Sequence, residues 1–142
     1  MEEYTKSYRG LIWWIAGYMV AMFLPVLLVI FLPEIDGDPV TRLTLNIVML
    51  GIVVMARMMY RNERIYWING ISYERAKAAS SEQRKEYALW YVTHFGRAAV
   101  IYLLYSVTAQ FLHGPILIDV LLITILLVVV AVKSVKVKPE NF

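Results

Sequence analysis

The stretch PILIDVLLITILLVVVAV, residues 115–132, decides the fold of this chain. Its side chains suit a hydrocarbon interior with one exception, Asp119, and its length approaches the about 20 apolar residues that a transmembrane helix needs. An ionised Asp at the bilayer centre costs roughly 2.5 to 3.5 kcal/mol on insertion scales. The stretch therefore predicts a membrane-spanning helix whose single carboxylate needs a partner elsewhere in the chain.

Three further apolar blocks have similar length, and hydrophobic residues make up 60% of the 142 residues, against about 45–50% in a usual soluble domain. We predict one all-α integral membrane domain over residues 1–142, a four-helix bundle. Its spans are residues 11–32, 40–60, 98–112 and 116–132. The third span is the weakest, because Arg97 interrupts it and Gln110 lies near its end. The first apolar run is too long for the core of a cleaved signal peptide, so we expect it to remain as a span.

The positive charges predict the orientation of these spans. Of the 14 Lys and Arg residues, all but Arg42 fall in the two terminal segments or between Arg57, near the inner end of the second span, and Arg97. The connection PEIDGDP between the first two spans carries three acidic residues. By the positive-inside rule, both termini and the loop at residues 61–97 are cytoplasmic, in a plasma membrane that we expect to be bacterial. Contact with anionic lipid headgroups explains the basic face, so no nucleic-acid partner is predicted.

The connections predict how the spans are joined. PEIDGDP and HGP are short, so the first two spans and the last two spans form hairpins, and Asp38 with Pro39 is expected to open the second span as N-cap and first helical residue. RNERIYWING is expected to prolong the second helix as far as Asn69-Gly70, although that dipeptide could instead form a hairpin turn. Ser80 or Ser81 then caps an amphipathic helix that leads from the cytoplasmic loop into the third span.

Polar residues in the spans predict a buried cluster. Asp119 lies four residues past Pro115, about 6 Å below the outer end of its helix at 1.5 Å rise per residue, and Arg42 lies about 5 Å below the outer end of the second helix. The two depths match and the charges are opposite, so we predict that the pair meets. Asn46 lies one turn deeper than Arg42 on the same face. Gln110 and His113 end the third span at a similar level and complete the predicted cluster.

Two interpretations of this cluster remain open. It could fix the register of the helices, since buried polar groups in membranes find partners within the bundle. It could also bind a ligand, an ion or a partner at the outer leaflet. His94 and Arg97 form a separate group at the cytoplasmic interface, where we expect their side chains to reach water.

Motifs for catalysis and for metal binding are missing from the sequence. There is no cysteine, no GxSxG, HExxH or P-loop motif, and no pair of nucleophile and base at one depth. His94 and His113 are expected near opposite faces of the membrane, so they cannot share a metal. We therefore predict a protein that is not an enzyme and holds no cofactor.

One segment resembles a known family. The loop INGISYERAKAASSEQRKEYALWYVTHFGR contains a glycine turn, a Ser/Glu/Lys-rich segment and an aromatic helix entry. This loop and the topology of the predicted spans resemble those of small multi-span membrane proteins of Gram-positive bacteria. These include the SdpI-type bacteriocin immunity proteins and their relatives. The resemblance implies self-protection against a membrane-acting toxin, or a regulatory role, and assigns no site residues.

Two functions remain as hypotheses. The first is a non-catalytic protein that contacts membrane lipids and binds another membrane protein or a membrane-acting peptide, in an immunity, accessory or regulatory role. The second is a small channel or transporter, working as a homo-oligomer, with Arg42, Asn46, Gln110 and Asp119 along a polar path. The identity of any partner and the oligomeric state are not encoded in a recognisable pattern.

Overall fold

The computed structural model describes residues 4–68 and 70–137, and within these residues the chain is all-helical. The elements follow the chain in the order α1 (Arg9–Phe31), α2 (Gly37–Asn62), a 3-10 turn (Ile65–Trp67), α3 (Tyr73–Ala78), α4 (Ser81–Phe111) and α5 (Ile116–Val135). By length and composition, α1, α2 and α5 could each cross a membrane. Helix α4 is the longest, at 31 residues, and joins the charged segment after Ser80 to the apolar segment that was predicted as the third span.

Helix α2 lies between the other long helices. It packs most extensively against α4 and then against α1, and it also contacts α5, while α4 and α5 pack on each other. Helix α1 packs mainly against α2, so most of its apolar side chains are exposed. The core between α2, α4 and α5 contains Met49, Ala98, Tyr102, Ile123 and Val130.

The ends of the helices differ from the predicted ends in two places. Asp36, not Asp38, is the N-cap of α2, and its carboxylate accepts from the backbone N–H of Asp38. At the other end, α2 stops at Asn62, because Glu63 adopts a left-handed conformation with φ 56°. The prediction that RNERIYWING prolongs this helix is therefore wrong beyond Asn62. Asn69 lies outside the described residues.

The start of α4 agrees with its sequence signal. The Ser80 hydroxyl accepts from the backbone N–H of Gln83, and the Gln83 side chain accepts from the backbone N–H of Ser80. This reciprocal capping box satisfies two donors that would otherwise lack partners at a helix start. The segment predicted as an amphipathic lead-in is the first half of α4, continuous with the apolar half.

A second core, rich in tyrosine, lies where α2 ends and α4 begins. Its buried members come from α2, the 3-10 turn, α3 and the first half of α4, and include Ile65, Tyr66, Tyr87 and Tyr91. Both described chain ends, at Tyr4 and at Val137, pack against it. The two described ends of the chain therefore meet at the same end of the molecule.

The segment before α1 is held against this tyrosine-rich core by hydrogen bonds. The hydroxyl of Tyr66 donates to the carbonyl oxygen of Ser7 and accepts from the backbone N–H of the same residue, both at 2.8 Å. Trp67 Nε1 donates to the Ser7 carbonyl at 3.1 Å, and the hydroxyl of Tyr73 donates to the Tyr4 carbonyl at 2.6 Å. These bonds fix where α1 begins.

Candidate functional site

The structure brings Arg42 of α2 and Asp119 of α5 together. Arg42 Nε lies 3.3 Å and 3.2 Å from the two carboxylate oxygens of Asp119, and Arg42 Nη2 lies 3.2 Å from Oδ2. Asp119 is fully buried and Arg42 is 5% exposed. A charge pair removed from water to this extent stabilises a structure only when its remaining hydrogen-bonding groups are also satisfied.

The remaining groups of the pair are satisfied by α4 and by the turn that follows it. Arg42 Nη1 donates to Gln110 Oε1 at 3.0 Å, and Nη2 donates to the Gly114 carbonyl oxygen. The buried hydroxyl of Tyr102 donates to Asp119 Oδ1 at 3.2 Å. The pair thus links three helices, α2, α4 and α5, at one level of the molecule.

Asn46 lies one turn further along α2. Its Nδ2 donates both to the Arg42 carbonyl oxygen and to Ser106 Oγ, each at 2.9 Å, and the Ser106 hydroxyl donates to the Leu103 carbonyl oxygen at 3.0 Å. This second layer bonds α2 to α4 immediately beneath the ion pair.

His113 does not join the cluster, although it was predicted to. It takes a left-handed conformation with φ 53° in the turn after α4, and its side chain is exposed. In this turn the backbone N–H of Gly114 donates to the Ala109 carbonyl oxygen at 2.9 Å. It is the carbonyl of Gly114, rather than the imidazole of His113, that reaches Arg42.

Tyr102 and Ser106 were missed in the sequence analysis. Together with Gln110 they are spaced four residues apart, so they share one face of α4. That spacing is visible in the sequence, and it could have added both hydroxyl groups to the predicted cluster.

A cavity of about 370 Å³ opens between α2 and α4 beside this cluster. Its lining combines Arg42, Asn46, Ser106 and Gln110 with the apolar side chains of Pro39, Val107 and Phe111. Among residues 4–68 and 70–137, however, no buried side-chain nitrogen or oxygen lacks a hydrogen-bond partner. The polar groups are already occupied by one another, as expected of a contact that fixes helix register.

Metal binding finds no support in the part of the chain that the structure describes. Within it, no group of three or more His, Asp or Glu side chains could hold an ion. His94 instead stacks on Trp90, with ring centroids 4.0 Å apart, and its Nδ1 lies 2.8 Å from the Trp90 carbonyl oxygen. Arg97, one turn later on α4, is exposed.

A second polar cluster, around Glu63, was not predicted. The Glu63 carboxylate accepts from Ser81 Oγ at 2.6 Å and from Arg84 Nε at 2.9 Å, and it also pairs with Lys85 Nζ at 3.4 Å. Burial would raise the pKa of Glu63, but the hydrogen bonds from Ser81 and Arg84 and the charge of Arg84 outweigh it and lower the pKa below its ordinary value. The cluster joins the end of α2 to the start of α4.

No protein-family model, no curated protein and no solved structure matches this chain. The resemblance to SdpI-type immunity proteins therefore stays a prediction, supported by the loop sequence alone.

Proposed function

We propose that this chain is a non-catalytic protein of the bacterial plasma membrane that binds another membrane protein, or a membrane-acting peptide, by helix–helix contact. In this proposal α1, α2, α4 and α5 form a four-helix bundle and both termini are cytoplasmic. The basic residues support this orientation, because all but Arg42 lie in the terminal segments or between residues 57 and 97. An immunity, accessory or regulatory role is compatible with such binding.

The contacts of α4 support its membership among the spans. Its second half, residues 98–111, carries no charged side chain. Ala98, Tyr102 and Ser106 in this half are buried, and the last two bond to residues of α5 and α2. Because α4 lies alongside helices that can cross a membrane, the same bilayer would surround its apolar half.

The observation that carries the proposal is the open groove between α1 and α2. It has a volume of about 420 Å³, and its lining is almost wholly apolar: Trp13, Trp14, Gly17, Tyr18, Ala21, Ile47, Leu50, Gly51, Val54 and Met58. A Cβ atom added at Gly17 would meet nothing within 4 Å. Gly17 and Ala21 are spaced as a small-xxx-small pair, which allows the backbone of another transmembrane helix to approach closely. We propose a partner helix as the occupant of this groove.

The hydrogen bonds at the ion pair favour binding over conduction. Arg42 donates hydrogen bonds to Asp119, Gln110 and Gly114. Conduction of an ion or solute along these residues would require these hydrogen bonds to break. The cavity beside Asn46 and Ser106 is the observation that keeps an oligomeric channel or transporter as a second candidate. In that case Asp119→Asn would change ion or solute flux in liposomes reconstituted with folded protein, and flux absent from wild-type liposomes would count against it.

The proposed binding is tested by photo-cross-linking in cells. A photoreactive amino acid at Gly17 would face the groove, whereas the same probe at Ile30, an exposed residue of α1 outside the groove, is the matched control. We expect one recurrent protein adduct from position 17 and only scattered lipid adducts from position 30. Mass spectrometry of the adducts identifies the partner. If both positions give only lipid adducts, the proposal is wrong.

A further inference from the structure

A polar cleft of about 450 Å³ lies where α2 ends and α4 begins, far from the Arg42–Asp119 pair. Three guanidinium groups line it, from Arg61, Arg64 and Arg84, together with Glu63, Ser81 and the ring of Tyr4. The cleft therefore brings together basic side chains from the end of α2, from the 3-10 turn region and from α4.

Arg84 is already paired within the cleft. Its Nη2 lies 2.7 Å from Glu63 Oε2, its Nη1 donates to the Ala79 carbonyl oxygen, and its guanidinium carbon lies 4.1 Å from the centroid of the Tyr4 ring. Lys85 shares the same carboxylate. The Glu63 carboxylate is thus engaged by two cations and by the hydroxyl of Ser81, so it is not available to pair with a third cation.

Arg61 and Arg64 carry the surplus charge. Arg64 Nη1 donates to the Thr5 carbonyl oxygen and to the Tyr66 hydroxyl, which are both uncharged acceptors. Arg61 is exposed, and among residues 4–68 and 70–137 it has neither an ion pair nor a hydrogen bond through its side chain. Two guanidinium groups of the cleft are therefore not paired with its carboxylate, Glu63, among the residues that the structure describes, and they can donate to an anion.

We propose that this cleft binds a phosphate group, with the guanidinium groups of Arg61 and Arg64 donating to its oxygens. Guanidinium groups match phosphate in geometry, because two parallel N–H groups can meet two oxygens. Arg61 directly follows Tyr60, the last residue of the apolar run of α2. The end of such a run is the level at which lipid phosphates lie. The phosphate of an anionic phospholipid in the inner leaflet is the source that this position favours, given the cytoplasmic orientation proposed above, and a soluble phosphate offers the same chemistry.

The lipid source is tested by native mass spectrometry of the full-length chain, released from micelles with equal amounts of phosphatidylglycerol and phosphatidylcholine. We expect wild-type protein to retain phosphatidylglycerol selectively and Arg61→Gln to lower the apparent affinity about tenfold, as for one lost charge-assisted hydrogen bond. Arg57→Gln is the matched control, since Arg57 is also exposed on α2 but does not line the cleft. Arg61 has no ion-pair or hydrogen-bond partner for its side chain among residues 4–68 and 70–137, so its replacement should leave the helical circular dichroism unchanged.

The soluble source is tested by titrating inorganic phosphate into the protein in micelles without anionic lipid. Phosphorus NMR measures the binding at each step. If Arg61→Gln loses phosphatidylglycerol retention but still binds inorganic phosphate as wild type does, the cleft is assigned to a lipid. If it loses inorganic phosphate binding but keeps phosphatidylglycerol, the cleft is assigned to a soluble ligand. If Arg61→Gln and Arg57→Gln behave alike in both titrations, the proposal is overturned. Cross-linking from position 17 does not depend on Arg61. A failure of the proposed partner binding can therefore be distinguished from a failure of the proposed phosphate site.

Discussion

Single residues explain why a carboxylate is retained in the apolar stretch at residues 115–132. Asp119 accepts hydrogen bonds from Arg42 and Tyr102, and Arg42 is satisfied in turn by Gln110 and Gly114. Breaking such a buried pair exposes the remaining charge to an apolar environment, whereas replacing both partners by apolar side chains does not.

We expect Asp119→Ala to lower the free energy of unfolding by about 3–5 kcal/mol, because Arg42 would be left buried without its carboxylate. The double variant Arg42→Met/Asp119→Leu should recover most of this loss. Steric trapping in lipid micelles measures both values. Glu34→Ala, in the exposed turn between α1 and α2, is the control and should lie within about 0.5 kcal/mol of wild type. Equal stability of Asp119→Ala and Glu34→Ala would contradict the assigned role of the pair.

Glu63 makes stability depend on pH. Its pKa is lowered in the folded protein, so its contribution is present above its ordinary pKa of 4.5 and is lost as the pH falls through the lower folded value. We expect Glu63→Gln to be less stable than wild type near neutral pH and to lose this part of the acid sensitivity. The measurement is the unfolding midpoint in detergent as a function of pH. Glu82→Gln, on the exposed side of the first turn of α4, should keep the wild-type profile, and identical profiles for all three proteins would refute this account of Glu63.

At the scale of helices, one glycine fixes the contact between α1 and α2. A Cβ atom at Gly51 would lie 2.2 Å from Cε2 of Tyr18, whose ring stacks on Trp14 with centroids 5.1 Å apart. Trp14 Nε1 also donates to the Gly51 carbonyl oxygen at 3.0 Å. The ring of Tyr18, stacked on Trp14, therefore occupies the space that a side chain at residue 51 would need.

We expect Gly51→Ala to destabilise the protein by about 1–3 kcal/mol through overpacking and to move α1 away from α2. The chain has no native cysteine, so spin labels on one introduced cysteine in each helix can measure the separation directly. Gly17→Ala is the matched control, because the new methyl group would meet nothing within 4 Å. An unchanged separation in Gly51→Ala would show that the rings of α1 adapt without moving the helix.

The capping box at Ser80 makes a local prediction for α4. We expect Ser80→Ala to remove about 1 kcal/mol from the stability of the first helical turn, since the backbone N–H of Gln83 loses its acceptor. Amide hydrogen exchange in that turn measures the change. Ser134→Ala should have little effect, because that hydroxyl donates back to the Ala131 carbonyl oxygen in its own helix. Unaltered exchange at residues 81–83 in Ser80→Ala would contradict the assigned cap.

At the scale of the whole molecule, hydropathy predicted the helices α1, α2 and α5 to within a few residues, because long apolar runs encode transmembrane helices directly. Matching depths then brought Arg42 to Asp119, since two charges at one level of a helical assembly have few alternative partners. Other contacts have no such signal. Glu63 meets Arg84 only because α2 stops at Asn62 and the 3-10 turn and α3 redirect the chain, and the position of His113 depends on one left-handed residue. Irregular backbone of this kind follows from tertiary packing rather than from a periodic pattern.

In the proposed topology, α4 crosses the membrane as the third of four spans. If it does, the turn after α4 and the end of α5 lie on opposite sides, with the turn outside and Lys136 inside. If only α1, α2 and α5 cross, the two positions exchange sides, because α5 would then begin in the cytoplasm.

The measurement that decides between these topologies uses two single-cysteine variants, His113→Cys and Lys136→Cys, in a chain that has no other cysteine. A membrane-impermeant maleimide is added to intact spheroplasts and, separately, to lysed ones. The four-span account predicts that residue 113 is labelled before lysis and residue 136 only after it. Labelling of residue 136 in intact spheroplasts, with residue 113 protected, would contradict it.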